Sequence, residues 1–160
     1  GYAIINEAYH ATAPHPEGIY AHQAMENALA MAGESAHRVD YINAHGTATN
    51  ANDKMEIKAI EALVGGQERS VHVCSTKALT GHSLGAAGSV EFVATALSVA
   101  KDFVPATRVP EESIVSDDNL RLTGTRAEER TVDLALSNSF GFSGNMASIA
   151  IRKYQPERAA

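Results

Sequence analysis

The chain has 160 residues, of which 44% are hydrophobic and 20% charged, and a formal net charge of -6; that length suits one domain able to bury roughly two thirds of its extended surface. No run of Lys or Arg could track a phosphate backbone, which argues against nucleic-acid binding. The single cysteine, Cys74, excludes an internal disulfide and a cysteine-based zinc site and points to a cytoplasmic setting, and neither a secretory signal nor a membrane-spanning segment is expected, because the charge-free stretch Leu134 to Ile151 is rich in Ser, Asn and Gly.

The opening GYAIINEAY lacks a methionine and begins close to an apolar run, so the sequence is expected to be a piece of a longer chain. Ala11 to Gly18 holds two prolines and reads as a loop. From Ile19 to Ala32, Met25, Ala28, Leu29 and Ala32 fall on one helical face, and Gly33 ends the helix. Val39 to Ala44 is a short strand leading into His45-Gly46. Asp53 is predicted to cap the next helix with Glu56 as its reciprocal partner; Ile57, Ile60, Leu63 and Val64 form the buried stripe, and Gly65-Gly66 is the stop.

Val71 to Cys74 is the next strand, and Leu84 to Ala100 reads as a helix. Its second half, FVATALSVA, is apolar nearly all round, which predicts a helix sandwiched between layers and an extensive partner surface. Val104 to Thr131 is irregular, with an acidic cluster and one short edge strand at Asn119 to Leu122. Thr131 to Leu136 and Ala147 to Arg152 read as two strands around a turn, SNSFGFSGNM, before a polar, frayed tail, YQPERAA. The order is that of a layered α/β unit.

Chemistry-bearing residues collect where strands hand over to helices, the usual place for sites in open α/β sheets. His45 and His82 each follow a strand and sit beside a glycine. Either imidazole could donate a hydrogen bond or move a proton, and either could simply satisfy local backbone. Lys77 follows a strand that should be buried, so its ammonium must snorkel, pair or face a polar cleft. Cys74 lies within that strand and reads as a small buried hydrophobe. Gly81, Gly85 and Gly88 match neither phosphate-loop spacing. A metal set of His45, His82, Asp53 and Glu91 lacks a recognisable ligand spacing, so no metal is expected. In the glycine-rich stretch Ser137 to Asn145, the rings of Phe140 and Phe142 either fill the core or border an apolar tunnel, with backbone N–H groups near Gly141 available to an oxyanion.

Taken together, HGTAT at His45 to Thr49, STKALTGHSLGAAGSVE at Ser75 to Glu91 and NSFGFSGN at Asn138 to Asn145 resemble the β-ketoacyl-ACP synthases. The resemblance implies the C-terminal half of a thiolase-like fold over residues 1–160, a βαβαβαββ unit whose mixed sheet is flanked by helices and stacks on an N-terminal half carrying the nucleophilic cysteine. It implies decarboxylative condensation of an acyl thioester with malonyl-ACP, in fatty-acid or polyketide elongation. His45, His82, Lys77 and Glu91 would be the catalytic set, Thr47 and Thr49 the contacts to the phosphopantetheine arm, and Phe140, Gly141 and Phe142 the oxyanion and gating loop. No permanently bound cofactor is implied. The partners are acyl carrier protein, the N-terminal half, and a second thiolase-like subunit in a homodimer or heterodimer.

Without the nucleophile this chain alone is expected to be inactive. Four positions depart from the pattern: Asn50 replaces a usual proline, Asn52 a frequent glycine, Ser143 a glycine and Met146 an asparagine, and Asn52-Asp53 is more like polyketide-type relatives. A chain-length-factor-like or scaffolding subunit is the non-enzyme alternative; a degradative thiolase fits HGTAT and TGHSLGAAG less well.

Overall fold

The computed structural model describes residues 1–66, 70–108 and 119–155. Six strands make one sheet: β1 (Tyr2–Asn6), β2 (Tyr41–Asn43), β3 (Val71–Cys74), β5 (Leu120–Leu122), β7 (Leu134–Gly141) and β8 (Asn145–Arg152), in the spatial order β1-β8-β7-β2-β3-β5. A separate antiparallel pair joins β4 (Phe103–Val104) to β6 (Glu128–Glu129). In the main sheet β7, β2, β3 and β5 run parallel, while β8 is antiparallel to both β7 and β1. The helices are α1 (Ile19–Ala32), α2 (Asn50–Val64), the single turn α3 (Lys77–Thr80) and α4 (Ala87–Lys101). This is the mixed sheet with flanking helices expected from the sequence, and its edge strand β5 falls inside the predicted 119–122.

The period-two alternation of the strands decides which helix covers which face. Ile42, Val71, Val73, Leu134 and Leu136 point into the core shared with Met25, Ala28 and Leu29 of α1 and with Met55, Ile60 and Val64 of α2. Their neighbours Tyr41, Cys74 and Ala135 point the other way, against Val99 of α4. Helix α1 ends as predicted: Gly33 takes φ 66°, its N–H donates to the Ala30 carbonyl, and the Glu34 N–H donates to that of Leu29.

Three expectations change. The predicted Asp53/Glu56 cap is absent, because α2 begins at Asn50 and its cap is Thr49, whose hydroxyl accepts from the Asn52 N–H. Glu56 is displaced from that role by its helical phase: it shares a face with Ile60 and Leu63 and is buried. The long helix predicted from Leu84 begins instead with a 3-10 turn over Leu84–Ala86 and becomes α-helical at Ala87. Most of the stretch read as a turn is strand, with Phe140 paired to Met146 and Gly141 to Asn145. Only Phe142–Gly144 connects them, through positive φ at Ser143 (62°) and Gly144 (78°). Polar Asn138 is tolerated inside β7 because it accepts from Ser148 and donates to Glu56. The pairing of β4 with β6 was not foreseen. Pro110 and residues 109–118 of the acidic segment, and residues 156–160 of the tail, lie outside the described residues.

Helix α4 is amphipathic in the inverted sense. The residues it buries include Glu91, Thr95 and Ser98, whereas Phe92, Val93 and Leu97 are 40%, 56% and 45% exposed. Exposed Tyr2 and Ile4 belong to the same side of the sheet, since Ala3 and Ile5 pack into the α1–α2 core. A face more apolar outside than inside needs covering. We predict that Leu97→Asp changes the unfolding free energy of this chain by less than about 0.5 kcal/mol, while Ile60→Ala costs about 3 kcal/mol through cavity formation. Urea denaturation of the two variants checks both.

Candidate active site

Four structural elements deliver one side chain each to the C-terminal ends of the parallel strands. His45 follows β2, Lys77 opens α3 just after β3, Glu91 comes from α4, and Phe140 from the end of β7. The chain after β2 can turn there only because residue 46 is glycine: its φ is 42°, and a Cβ would meet the Ser75 Cβ at 2.5 Å. Ser75 donates to the Gly46 carbonyl at 2.9 Å, tying the two post-strand turns together. Behind them buried Asn43 donates to the Glu91 carbonyl and to the hydroxyls of Thr76 and Thr95, and accepts from the Thr76 N–H.

Lys77 is buried, and its ammonium donates to Glu91 Oε1 and to the His45 carbonyl and stands 3.3 Å from His45 Nδ1. Three N–H bonds meet three acceptors, which is what a buried lysine requires. Glu91 responds to opposing influences: burial raises its carboxyl above the usual range, and Lys77 lowers it. His45 has its pKa lowered to about 3, first by burial and then by the charges of Lys77 and His82. Its imidazole is therefore neutral near pH 7. With Nδ1 facing an ammonium donor, its proton resides on Nε2.

His82 reaches the same tautomer by another route. Its Nδ1 accepts the Leu84 N–H at 3.2 Å, so the ring proton of the neutral form also sits on Nε2. Leu84 adopts φ 50° at this point, a strained conformation for a non-glycine residue. The two imidazoles lie edge to face with centroids 5.8 Å apart, and Phe140 packs on His45 at 5.5 Å. Two imidazole N–H donors side by side at the rim of a cleft can stabilise an oxyanion as its charge develops.

That cleft, about 710 Å³, is lined by His45, Thr47, Thr49, His82, Phe140 and Phe142, with Gly141 also on its wall. Thr47 and Thr49 are hydrogen-bonded to each other at 3.0 Å, Thr47 half-buried and Thr49 exposed, and Phe142 is largely exposed at the tip of the β7–β8 connection. All nine predicted site residues thus gather around one cavity or directly behind it. Cys74 stays apart: it is fully buried, its Sγ lies 2.9 Å from the Tyr41 hydroxyl, and burial pushes its thiol up to about 12. Among the described residues no group of three or more His, Cys, Asp and Glu is arranged to hold a metal ion, and no helix is long and apolar enough to cross a membrane. Met146, one of the sequence departures, is simply buried core.

Glu56 was missed as a site residue. Its Oε1 accepts from the His45 N–H (2.8 Å) and Asn138, and its Oε2 from the Gly46 N–H (2.9 Å) and Asn52. Burial raises its carboxyl above the usual range and these four donors lower it. The available signal was a glutamate in phase with Ile60 on the buried stripe of α2, where an unpartnered acid would be costly.

A mixed sheet with two imidazole donors, a buried lysine and an apolar-backed cleft defines a thiolase-like condensing-enzyme unit. Residues 1–109 match the family described as Beta-ketoacyl synthase, C-terminal domain. The 3-oxoacyl-[acyl-carrier-protein] synthase 2 of Synechocystis is 44% identical over 97% of this chain and 37% of its own length. The solved structure of AntDE:AntF, a type II PKS acyl-carrier protein in complex with its ketosynthase bound to the hexaketide, superposes with a TM-score of 0.86 at 34% identity, covering 97% of this chain and 38% of that one. The ishigamide ketosynthase/chain length factor gives 0.86 at 35% identity, covering 97% and 37%. The chain belongs to the β-ketoacyl synthase family. It spans little more than a third of the length of these relatives.

The lowered pKa of His45 sets a linkage sign. Below pH 6.5 the unfolded imidazole binds a proton that the folded one refuses, so its contribution to stability falls as pH drops from 6.5 toward 3. Denaturation from pH 7 to pH 4 is expected to show this slope in the wild type and a shallower one in His45→Gln. A protonated His45 ring at pH 5, seen by 15N NMR, would overturn the assignment.

Proposed function

We propose that this chain is the histidine-bearing half of a cytoplasmic β-ketoacyl-ACP synthase that condenses an acyl thioester with malonyl-ACP. The observation that carries this reading is the pair of imidazoles whose Nδ1 atoms are both occupied, leaving two Nε2–H donors. A cysteine of the N-terminal half holds the acyl group. The malonyl thioester, carried on phosphopantetheine, enters past Thr47 and Thr49, whose hydroxyls hydrogen-bond the arm. As the malonyl carboxylate leaves as carbon dioxide, its bonding electrons delocalise onto the thioester oxygen, and the His45 and His82 N–H groups stabilise the enolate. The enolate carbon then attacks the acyl thioester; the tetrahedral oxyanion is met by backbone N–H at Phe142, and the cysteine thiolate departs. Lys77 keeps His45 in its tautomer, Glu91 balances the Lys77 charge, and Phe140 and Gly141 shape the wall against which Phe142 moves as gate.

In the full-length synthase, His45→Ala and His82→Ala are each expected to lower malonyl-ACP decarboxylation by about 100-fold or more while acyl transfer to the cysteine survives. Mass spectrometry of the acyl-enzyme, alongside release of labelled carbon dioxide, separates the two steps. Unchanged decarboxylation in both variants would reject this reading.

The second reading is a chain-length-factor-like subunit that shapes a partner's product without turning over. Relatives that are ketosynthase/chain length factor pairs support it more directly than they support catalysis, and this chain carries no reactive cysteine. The inverted face of α4 suits either assembly, since both stack on a second thiolase-like half. Iodoacetamide labelling of the full-length protein decides between them: alkylation of an N-terminal-half cysteine favours the enzyme, and glutamine at that position favours the subunit.

A further inference from the structure

We propose that Asn52 is a positioning residue for His45, linking the threonine pair at the cleft to the carboxylate that holds the histidine turn. The proposal rests on the synthase reading above and assigns a role to one of the residues by which this chain departs from the family pattern. Asn52 is buried at the first turn of α2 and borders the cleft. Its backbone N–H donates to Thr49 Oγ1 at 3.4 Å, and Thr49 is bonded in turn to Thr47. Its side-chain amide donates one N–H to Asp53 Oδ1 at 3.0 Å and one to Glu56 Oε2 at 3.4 Å. The same Oε2 accepts the Gly46 N–H, and Oε1 accepts the His45 N–H.

A glycine at position 52 could satisfy the helix cap but could not reach Glu56. The amide has two further effects. It bridges the Asp53 and Glu56 carboxylates with one N–H each, and it supplies Glu56 with a fourth donor that favours the ionised form of a buried carboxylate. Ionised Glu56 accepts from both turn N–H groups at once; a protonated carboxyl has an O–H in place of one acceptor and must release or reorient one of them. The groups facing Glu56 are Asn52 from α2, the His45-Gly46 backbone from the post-β2 turn and Asn138 from β7, and Lys77 touches the same turn through the His45 carbonyl.

The test compares wild type, Asn52→Ala and Asn52→Asp in the full-length synthase by two readouts. One is the pH profile of kcat for condensation; the other is the Glu56 carboxyl titration followed by 13C NMR, which needs no turnover. Asn52→Ala is expected to lower kcat about tenfold with the KM for malonyl-ACP nearly unchanged, to move the acid limb of the profile to higher pH, and to raise the Glu56 titration; Asn52→Asp does so more strongly. A Glu56 titration that does not move, or a loss of kcat uniform across pH, overturns the proposal. If Asn52→Asp fails to fold, Asn52→Ser, whose shorter side chain cannot bridge both acids, takes its place with the effect expected for alanine. A wild-type protein that decarboxylates nothing while Glu56 still shifts on substitution would reject the synthase reading and retain the clamp.

Discussion

The site depends on a lysine ammonium enclosed by protein. Removing a charge from water costs several kcal/mol even after relaxation, and the cost is offset only where every N–H is met. Lys77 meets this condition with one carboxylate, one carbonyl and one ring nitrogen, and two of those three acceptors belong to His45. The lysine therefore fixes both where the histidine sits and which of its nitrogens carries the proton. It also helps keep the imidazole neutral, as a nearby positive charge opposes a second one. One cation thus turns a residue that could act as an acid into one that acts as a hydrogen-bond donor.

Two buried carboxylates then divide the remaining work. Glu91 lies on the α4 side and balances the lysine charge; Glu56 lies on the α2 side and holds the backbone of the same turn. His45 is gripped through its carbonyl and Nδ1 from one side and through its N–H from the other. The two helices reach it because α1 and α2 cover one face of the sheet and α4 the other, and β2 ends between them. His82 has no such enclosure: it is exposed and depends on a strained local turn at Leu84 for its orientation. The pair is asymmetric, with one donor set by the fold and the other by a loop at the cleft rim.

The inverted polarity of α4 has the same origin. Its sheet-facing side must carry Glu91 to the lysine and Thr95 to Asn43, so polar residues occupy positions that would ordinarily be apolar. Its outward side is apolar and exposed in this chain, the kind of face that a second layer of protein would cover.

Sequence by itself determined the elements with strong local signals: α1 with its Gly33 stop, the buried strand 71–74, and the two histidines and lysine placed after strand ends. These follow from periodicity, backbone freedom and the cost of burying charge, all of which act over a few residues. It also marked the second half of α4 as an unusually apolar helix, and the structure shows that its apolar residues Phe92, Val93 and Leu97 lie on the outward face. What only the tertiary structure decided are the relations between distant segments. Glu56 reads locally as a cap partner and is taken from that role by the His45-Gly46 backbone, 11 and 10 residues away. The stretch 137–146 reads as a turn because it is polar, and becomes a hairpin because Asn138 and Ser148 satisfy each other across it. The imidazole tautomers, and hence the chemistry, came from Lys77 and Leu84, because a proton's position on a ring is set by the group that faces the other nitrogen.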